Sequence, residues 1–147
     1  MAIEVFKSTT KLTEGMRVEC VARDHTILLD EPKELGGTDT GMNPVEGLLS
    51  ALGACKCIVA RCFAKAHGID LQDFRIELEG DLDPDGFMGK NKDAKIGFSE
   101  IRSKIYIKSS SSKEDIEKFI EFIDRTCPVA DTLKNSPKMV TELNIEG

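Results

Sequence analysis

The chain has 147 residues, of which 40% are hydrophobic and 31% are charged, a balance typical of a globular domain rather than a disordered chain. Its formal net charge of -6 disfavours binding to the phosphate backbone of nucleic acid. No apolar run approaches the roughly 20 residues of a membrane-spanning helix, and the first residues lack a secretory signal. We therefore expect one domain over residues 1–147, located in the cytoplasm, with neither nucleic acid nor a membrane as a partner.

The first third of the chain has the short alternating patterns of β-strands. Strands are predicted at residues 3–6, at residues 16–21 and in the sequence HTILLDEP, which ends at Pro32. Three glycines within residues 33–44 predict a loop after the third strand.

A long helix is predicted after this loop. Asn43 is a favoured N-cap, Pro44 suits the first helical position, and Glu46 stands where a capping box places its acid. Gly68 is expected to close the helix. Apolar residues at spacings of three and four predict one buried stripe, formed by Leu48, Leu52, Cys55, Val59 and Cys62.

The second half of the chain predicts an antiparallel strand pair followed by helices. Residues 74–80 and 100–109 alternate apolar and polar side chains across a turn. Ser112 is expected to cap a helix, Pro128 to begin a short one, and residues 139–146 to form a final strand. The order of strands, helix, strands, helices and strand predicts the α+β class.

The pair Cys55 and Cys57 first suggests a metal site, with His67 as a further ligand. Residues two apart on a helix point about 200° away from each other, so these two thiols cannot share one ion. His67 would lie roughly 15 Å from Cys57 along the helix axis. We therefore predict no metal, and we interpret Cys57, Cys62 and Cys20 as packing or bystander residues.

Cys55 and Cys127 allow a reactive interpretation alongside a structural one. Cys55 lies at the centre of the predicted buried stripe, where burial would favour an inert thiol. Cys127 precedes Pro128 and is expected at a helix N-cap, where exposed amide groups and nearby Arg125 would stabilise a thiolate. A capping thiol without chemistry explains the same placement, so the residues alone leave both interpretations open.

The sequence LLDEPKELGGTDTGMNPVEGLLSALGACKC, followed later by CPVA, resembles the OsmC/Ohr family of thiol-dependent peroxidases. The resemblance extends from about Arg17 to the end of the chain and is strongest to the OsmC-like branch. It implies an α+β fold in which antiparallel sheets wrap around central helices in an intertwined homodimer.

The resemblance also implies a reaction and its residues. Cys55 would be the peroxidatic cysteine, which attacks an organic hydroperoxide and becomes a sulfenic acid. Cys127 would be its resolving partner, and an external dithiol of lipoyl type would reduce the resulting disulfide. No cofactor is implied. Peroxidase members carry a glutamate where this chain has Val45, so Glu46 and Arg17 are the candidate residues for activating the thiolate.

Two alternatives to an oxidative-stress peroxidase follow from the same pattern. A pocket beside the thiols would also suit a non-enzymatic member that binds a small ligand. The cysteine pair would equally suit a redox sensor or disulfide exchanger, and the sequence does not separate these functions.

Overall fold

The computed structural model describes residues 2–147 and confirms the α+β class. The chain divides into two compact units, one ending at Ser50 and the other running from Ala51 to Gly147. Helix α1, Pro44–Phe63, begins in the first unit and continues into the second. That the whole chain is a single domain stays a prediction.

The first unit contains a three-stranded antiparallel sheet in the order β1–β2–β3. Its strands are β1, Thr9–Leu12, β2, Val18–Ala22, and β3, His25–Leu29. Ala22 pairs with His25, so only two residues connect β2 to β3. Arg23 in this turn has a φ of 56°, the left-handed conformation that two-residue hairpin turns require.

A buried carboxylate organises the loop between β3 and α1. The side chain of Asp30 is 1% exposed and accepts hydrogen bonds from the backbone N–H groups of Glu31 at 2.8 Å and Thr40 at 3.1 Å. It also accepts from the hydroxyls of Thr38 at 2.6 Å and Thr40 at 2.8 Å. These bonds hold the pKa of Asp30 well below its usual range, the Thr38 hydroxyl contributing most. Because the Asp30 N–H donates to the carbonyl of Met42 at 3.1 Å, the loop closes immediately before α1.

The second unit combines one β-hairpin with helices. The predicted antiparallel pair is confirmed, as β4, Asp73–Asp81, and β5, Glu100–Lys108, pair along their whole length. The connection between them contains the short helix α2, Pro84–Phe87. Helices α3, Lys113–Thr126, and α4, Pro128–Lys134, follow. Ser112 caps α3 as predicted, since its hydroxyl accepts from the Asp115 N–H at 3.1 Å.

Two apolar clusters hold the second unit together. In the first, α1 packs against α3 through Val59, Ala60, Phe119 and Ile123. The second consists of Leu52, Cys127 and Ala130, with the partly buried hydrophobic residues Cys55, Leu78, Ile101 and Val129 packed against it. This second cluster joins α1, the start of α4 and the hairpin, and it therefore brings the two candidate thiols into one small region.

The predicted strands at the two ends of the chain are wrong for the described residues. Neither residues 3–6 nor residues 139–146 form a strand, and β1 begins only at Thr9. A strand needs a neighbour to satisfy its backbone hydrogen bonds, and within 2–147 these segments pair with none. Their apolar side chains are more than three-quarters exposed, a set formed by Ile3, Val5, Phe6, Met139, Val140, Leu143 and Ile145.

The predicted stripe on α1 is correct at its centre and wrong at its ends. Leu52 and Val59 are buried, whereas Leu48 and Cys62 are exposed. The buried face includes Lys56, which turns Cys55 to the edge of the core. The helix also ends at Phe63 rather than at Gly68, and a turn closed by the Ile69 N–H to Ala64 carbonyl bond, at 2.8 Å, occupies the interval. Among residues 2–147, no helix combines the length and apolarity needed to span a membrane.

Candidate active site

Cys55 and Cys127 meet in the second unit. Cys55 lies on α1, partly buried, and packs against the cluster that contains Cys127. The Cys127 side chain is fully buried. The structure therefore brings together the two thiols that the family resemblance assigns to one reaction, although they are distant in the chain.

The first turn of α4 places backbone N–H groups beside the two thiols. Cys127 is the N-cap of α4, as predicted, and its Sγ accepts the backbone N–H of Ala130 at 3.4 Å. The backbone N–H of Val129, in the same turn, lowers the pKa of the Cys55 thiol. Amide donors stabilise negative charge on sulfur, so this turn partly offsets the effect of burial at Cys55.

The resting Cys55 thiol is nevertheless biased toward its protonated form. Partial burial raises the pKa of Cys55, and the adjacent Cys127 raises it further, while the Val129 N–H acts in the opposite direction. Desolvation is the largest of these effects. Peroxide chemistry at Cys55 therefore requires an additional group or a change of environment that favours the thiolate.

The other cysteines do not join this thiol pair. Burial raises the pKa of the Cys57 thiol, while Cys62 is exposed and Cys20 lies on β2 in the first unit. All five cysteines are free thiols. No group of three or more histidine, cysteine, aspartate and glutamate side chains within residues 2–147 is arranged to hold a metal ion.

Glu46 has a defined structural role at the start of α1. Its Oε1 accepts the backbone N–H of Asn43 at 2.9 Å, and its own N–H donates to Asn43 Oδ1 at 2.9 Å. This reciprocal pair is the predicted capping box. The neighbouring Val45, which the family resemblance places at the position of an activating glutamate, is 37% exposed.

Arg17 lies at the turn that leads into β2. Its carbonyl accepts from the Thr13 N–H at 2.9 Å and from the Thr13 hydroxyl at 3.1 Å. The Nε atom of Arg17 is buried and has no hydrogen-bond partner within the described part of the chain. An unsatisfied buried donor costs roughly 1–3 kcal/mol.

Sequence reasoning missed Lys56, the residue between Cys55 and Cys57. Lys56 is 8% exposed, and its Nζ lies 3.1 Å from Asp124 Oδ1 on α3. That oxygen makes no hydrogen bond of acceptable geometry within 2–147, so the pair is held by charge rather than by directed bonding. The signal was present in the spacing, because Lys56 follows the buried Leu52 by one helical turn.

Comparison with known proteins identifies the family. The family model described as OsmC-like protein matches residues 37–142. A hydroperoxide reductase of Mycoplasma genitalium is 27% identical over 138 residues, which cover 93% of this chain and 92% of that protein.

Solved structures agree with the family model. An OsmC-like protein from Mycoplasma pneumoniae has a TM-score of 0.80 at 28% identity, covering 90% of this chain and 89% of the other. An OsmC-like protein of unknown function from Vibrio cholerae shares the fold, with a TM-score of 0.73 at 13% identity over 88% of this chain and 94% of that one. The chain therefore has the OsmC-like fold and belongs to the OsmC-like protein family.

Proposed function

We propose that this protein is a cysteine-based peroxidase that reduces organic hydroperoxides. The observation that carries the proposal is the packing of Cys55 against the buried cluster that contains Cys127, whose sulfur accepts the Ala130 N–H. The relatives named hydroperoxide reductase, at 27% and 28% identity over most of the chain, support the same activity.

The proposed reaction begins with the thiolate of Cys55. Its sulfur attacks the outer oxygen of the hydroperoxide, the O–O bond breaks, and the alkoxide leaves and takes up a proton to become an alcohol. Cys127 then attacks the sulfenic sulfur of Cys55, an S–S bond forms, and hydroxide leaves with the thiol proton as water. An external dithiol supplies two electrons and two protons to restore both thiols by exchange, and we propose that this dithiol is of lipoyl type.

The raised pKa of Cys55 makes the activating group the main requirement of this mechanism. Arg17 is the proposed cation, because its buried Nε lacks a partner among residues 2–147 and a guanidinium near sulfur favours the thiolate. Glu46 is the proposed carboxylate, although its Oε1 is already engaged in the capping box of α1.

The working form is proposed to be a homodimer in the cytoplasm. Both ends of the chain carry exposed apolar side chains at alternating positions, including Ile3, Val5, Leu143 and Ile145. Such segments are suited to pairing as strands with a second copy of the chain. Light scattering should then give twice the mass of the 16.2 kDa chain, and a monomer at micromolar concentration would contradict the dimer.

Peroxide turnover tests the proposed function directly. Purified protein should consume cumene hydroperoxide in the presence of a dithiol, and Cys55→Ser should abolish this consumption. Cys62→Ser, an exposed thiol on the same helix, is the matched control and should retain it. Absence of turnover in the reduced wild-type protein would overturn the proposal.

A redox sensor is the second candidate, because the packing of Cys55 against the cluster that contains Cys127 places a resolving thiol next to the one that is oxidised. One equivalent of peroxide should then produce a stable loss of two hydrogens, visible by intact mass, without continued consumption of peroxide. Multiple turnovers in excess dithiol would decide for the peroxidase.

A further inference from the structure

A cavity of about 300 Å³ opens beside the thiol cluster in the second unit. It shares Leu52 and Ala130 with the cluster that contains Cys127. Ile101 of β5 and Leu133 of α4 add to its apolar wall. The cavity is therefore a direct extension of the region where Cys55 and Cys127 meet.

The charged side chains of this cavity are unevenly balanced. Lys56 and Lys134 both line it, together with Glu100. Glu100 accepts a hydrogen bond from Arg102 Nη1 at 2.8 Å, and the same guanidinium also pairs with Glu79 and Asp81, so the charge of Glu100 is only partly compensated. Lys134 is exposed. Within residues 2–147 the lysines that form ion pairs are Lys56, Lys113 and Lys118, so Lys134 has no ion-pair partner there. Lys134 therefore places an ammonium beside the apolar wall of the cavity, and no carboxylate within residues 2–147 forms an ion pair with it.

Lys56 adds a second ammonium that is largely removed from water. Its three N–H donors face a single nearby carboxylate oxygen, Asp124 Oδ1, which lacks hydrogen-bond geometry toward any donor in the described chain. Ammonium donors in a partly desolvated site bind carboxylates through charge-assisted hydrogen bonds. Asp124 does not line the cavity, so it does not occupy the space that a ligand would fill.

We infer that this cavity binds a carboxylate carried on a medium-length apolar chain, with Lys56 and Lys134 holding the carboxylate and the Leu52 wall holding the chain. A volume of about 300 Å³ is at the lower limit of small-molecule sites, which suits a ligand of this size. Lys56 and Lys134 are then specificity residues that select charged over neutral ligands.

This inference rests on the proposed function where it places the bound molecule next to the reactive thiols. The same carboxylate chemistry could belong to the hydroperoxide or to the dithiol that reduces the Cys55–Cys127 disulfide. Binding measured without any peroxide shows whether the site exists, whether or not the protein uses it during turnover.

The decisive experiment compares octanoate with octanamide, which has the same chain and no charge, by calorimetric titration of the reduced protein without peroxide. We expect octanoate to bind about tenfold more tightly, the worth of one charge-assisted hydrogen bond. Lys56→Met, which retains the apolar stem, and Lys134→Gln, an exposed substitution with little risk to folding, should each reduce this preference. Equal binding of the two ligands by the wild-type protein would overturn the inference.

Asp124→Asn is the matched control, since it removes the ion pair but keeps the Lys56 ammonium. It should preserve the preference for octanoate, or increase it. Loss of the preference in Asp124→Asn to the same extent as in Lys56→Met would show that only the ion pair matters and would contradict the site.

Turnover then identifies the source of the carboxylate. With dithiothreitol as reductant, a carboxylated alkyl hydroperoxide is compared with its neutral amide; with cumene hydroperoxide, dihydrolipoate is compared with dihydrolipoamide. A lower KM for the charged member in one comparison, reversed by Lys134→Gln, supports the site and names its ligand. Equal KM values in both comparisons, in a protein that turns over peroxide, would contradict its use in the reaction.

Discussion

The buried thiol of Cys127 lies beside the thiol of Cys55 and raises its pKa. In the proposed reaction two thiols so placed are the reduced half of a disulfide couple, because the resolving thiol already lies beside the one that is oxidised. The same proximity disfavours ionisation of Cys55, since a negative charge on one sulfur opposes charge on the other. The arrangement therefore disfavours ionisation of Cys55, while under the proposed mechanism it places Cys127 ready to form the disulfide.

Substituting Cys127 should separate its two roles. Cys127→Ser retains an acceptor for the Ala130 N–H and should keep α4 capped, whereas Cys127→Ala should lower the free energy of unfolding by about 1 kcal/mol through loss of the cap. Neither variant should show the two-hydrogen loss after one equivalent of peroxide, and both should accumulate a sulfenic acid that dimedone traps. Urea denaturation and intact-mass analysis measure the two effects.

Cys57→Ser provides the control for this prediction. Cys57 is also partly buried on α1, yet it does not pack against the cluster around Cys127. The variant should lose two hydrogens on oxidation as the wild-type protein does. Trapping of a sulfenic acid in Cys57→Ser would place the disulfide elsewhere.

The reactivity of Cys55 should depend on pH in a defined direction. Burial and Cys127 raise the pKa of Cys55, and the thiolate is the species that reacts. Its alkylation by iodoacetamide should therefore still increase as the pH passes about 8.5, the value at which a free cysteine is half ionised. Quantitative peptide mass spectrometry reports Cys55 separately, with exposed Cys62 as the internal reference. A rate that levels off near neutral pH would show that another group has already activated the thiol.

Local sequence signals predicted the helix starts because their causes are local. Asn43, Ser112 and Cys127 each cap a helix through an atom within three residues, so no knowledge of the fold was needed. The terminal strands were mispredicted for the opposite reason, since a strand depends on a partner that alternation of Ile3 or Leu143 cannot reveal. Helical spacing likewise predicted that α1 has a buried stripe, but it did not predict that Leu48 and Cys62 at the ends of the stripe are exposed.

For the thiol pair too, the features with local causes were predictable from the sequence and those that depend on packing were not. Helix geometry separated Cys55 from Cys57, and the predicted cap placed Cys127 correctly at α4. Their meeting depends on how α1, α4 and the hairpin pack around Leu52 and Ala130. Only the family resemblance anticipated it, whereas the burial of Lys56 was indicated by its position one helical turn after Leu52.

Glu46 can be tested without disturbing the helix start. Glutamine at this position preserves a capping box, so Glu46→Gln should leave the thermal midpoint unchanged while removing the charge. Because Glu46 is the proposed activating carboxylate, we expect kcat/KM for the peroxide to fall about tenfold, which corresponds to a loss of about 1.4 kcal/mol in transition-state stabilisation. An unchanged rate with an unchanged midpoint would instead limit the carboxylate to the capping box with Asn43.

Arg17→Met should slow peroxide reduction without unfolding the protein. The side chain of methionine preserves the apolar stem of Arg17 and removes a buried Nε that lacks a partner in residues 2–147, so stability should be retained or improved. If the guanidinium favours the thiolate, kcat/KM should fall about tenfold or more, with most of the loss recovered at high pH. An unchanged pH profile together with a lower rate would indicate a structural effect only.

Asp30 should stabilise the first unit, and the size of this stabilisation should change little with pH above the acid range. Asp30→Asn replaces an acceptor of five N–H and O–H groups by an amide that accepts through one oxygen. We therefore expect a clear fall in the thermal midpoint.

The stabilisation by Asp30 should also follow from the pKa of its carboxyl group, which is depressed in the folded protein. This stabilisation is fully present above about pH 4, the pKa in the unfolded chain, and is lost only as the pH falls through the lower pKa of the folded protein. The difference between wild type and variant should consequently stay constant from about pH 5 to pH 8. Asp24→Asn, an exposed aspartate in the β2–β3 turn, is the control, and an equal loss in both variants would contradict the role of Asp30.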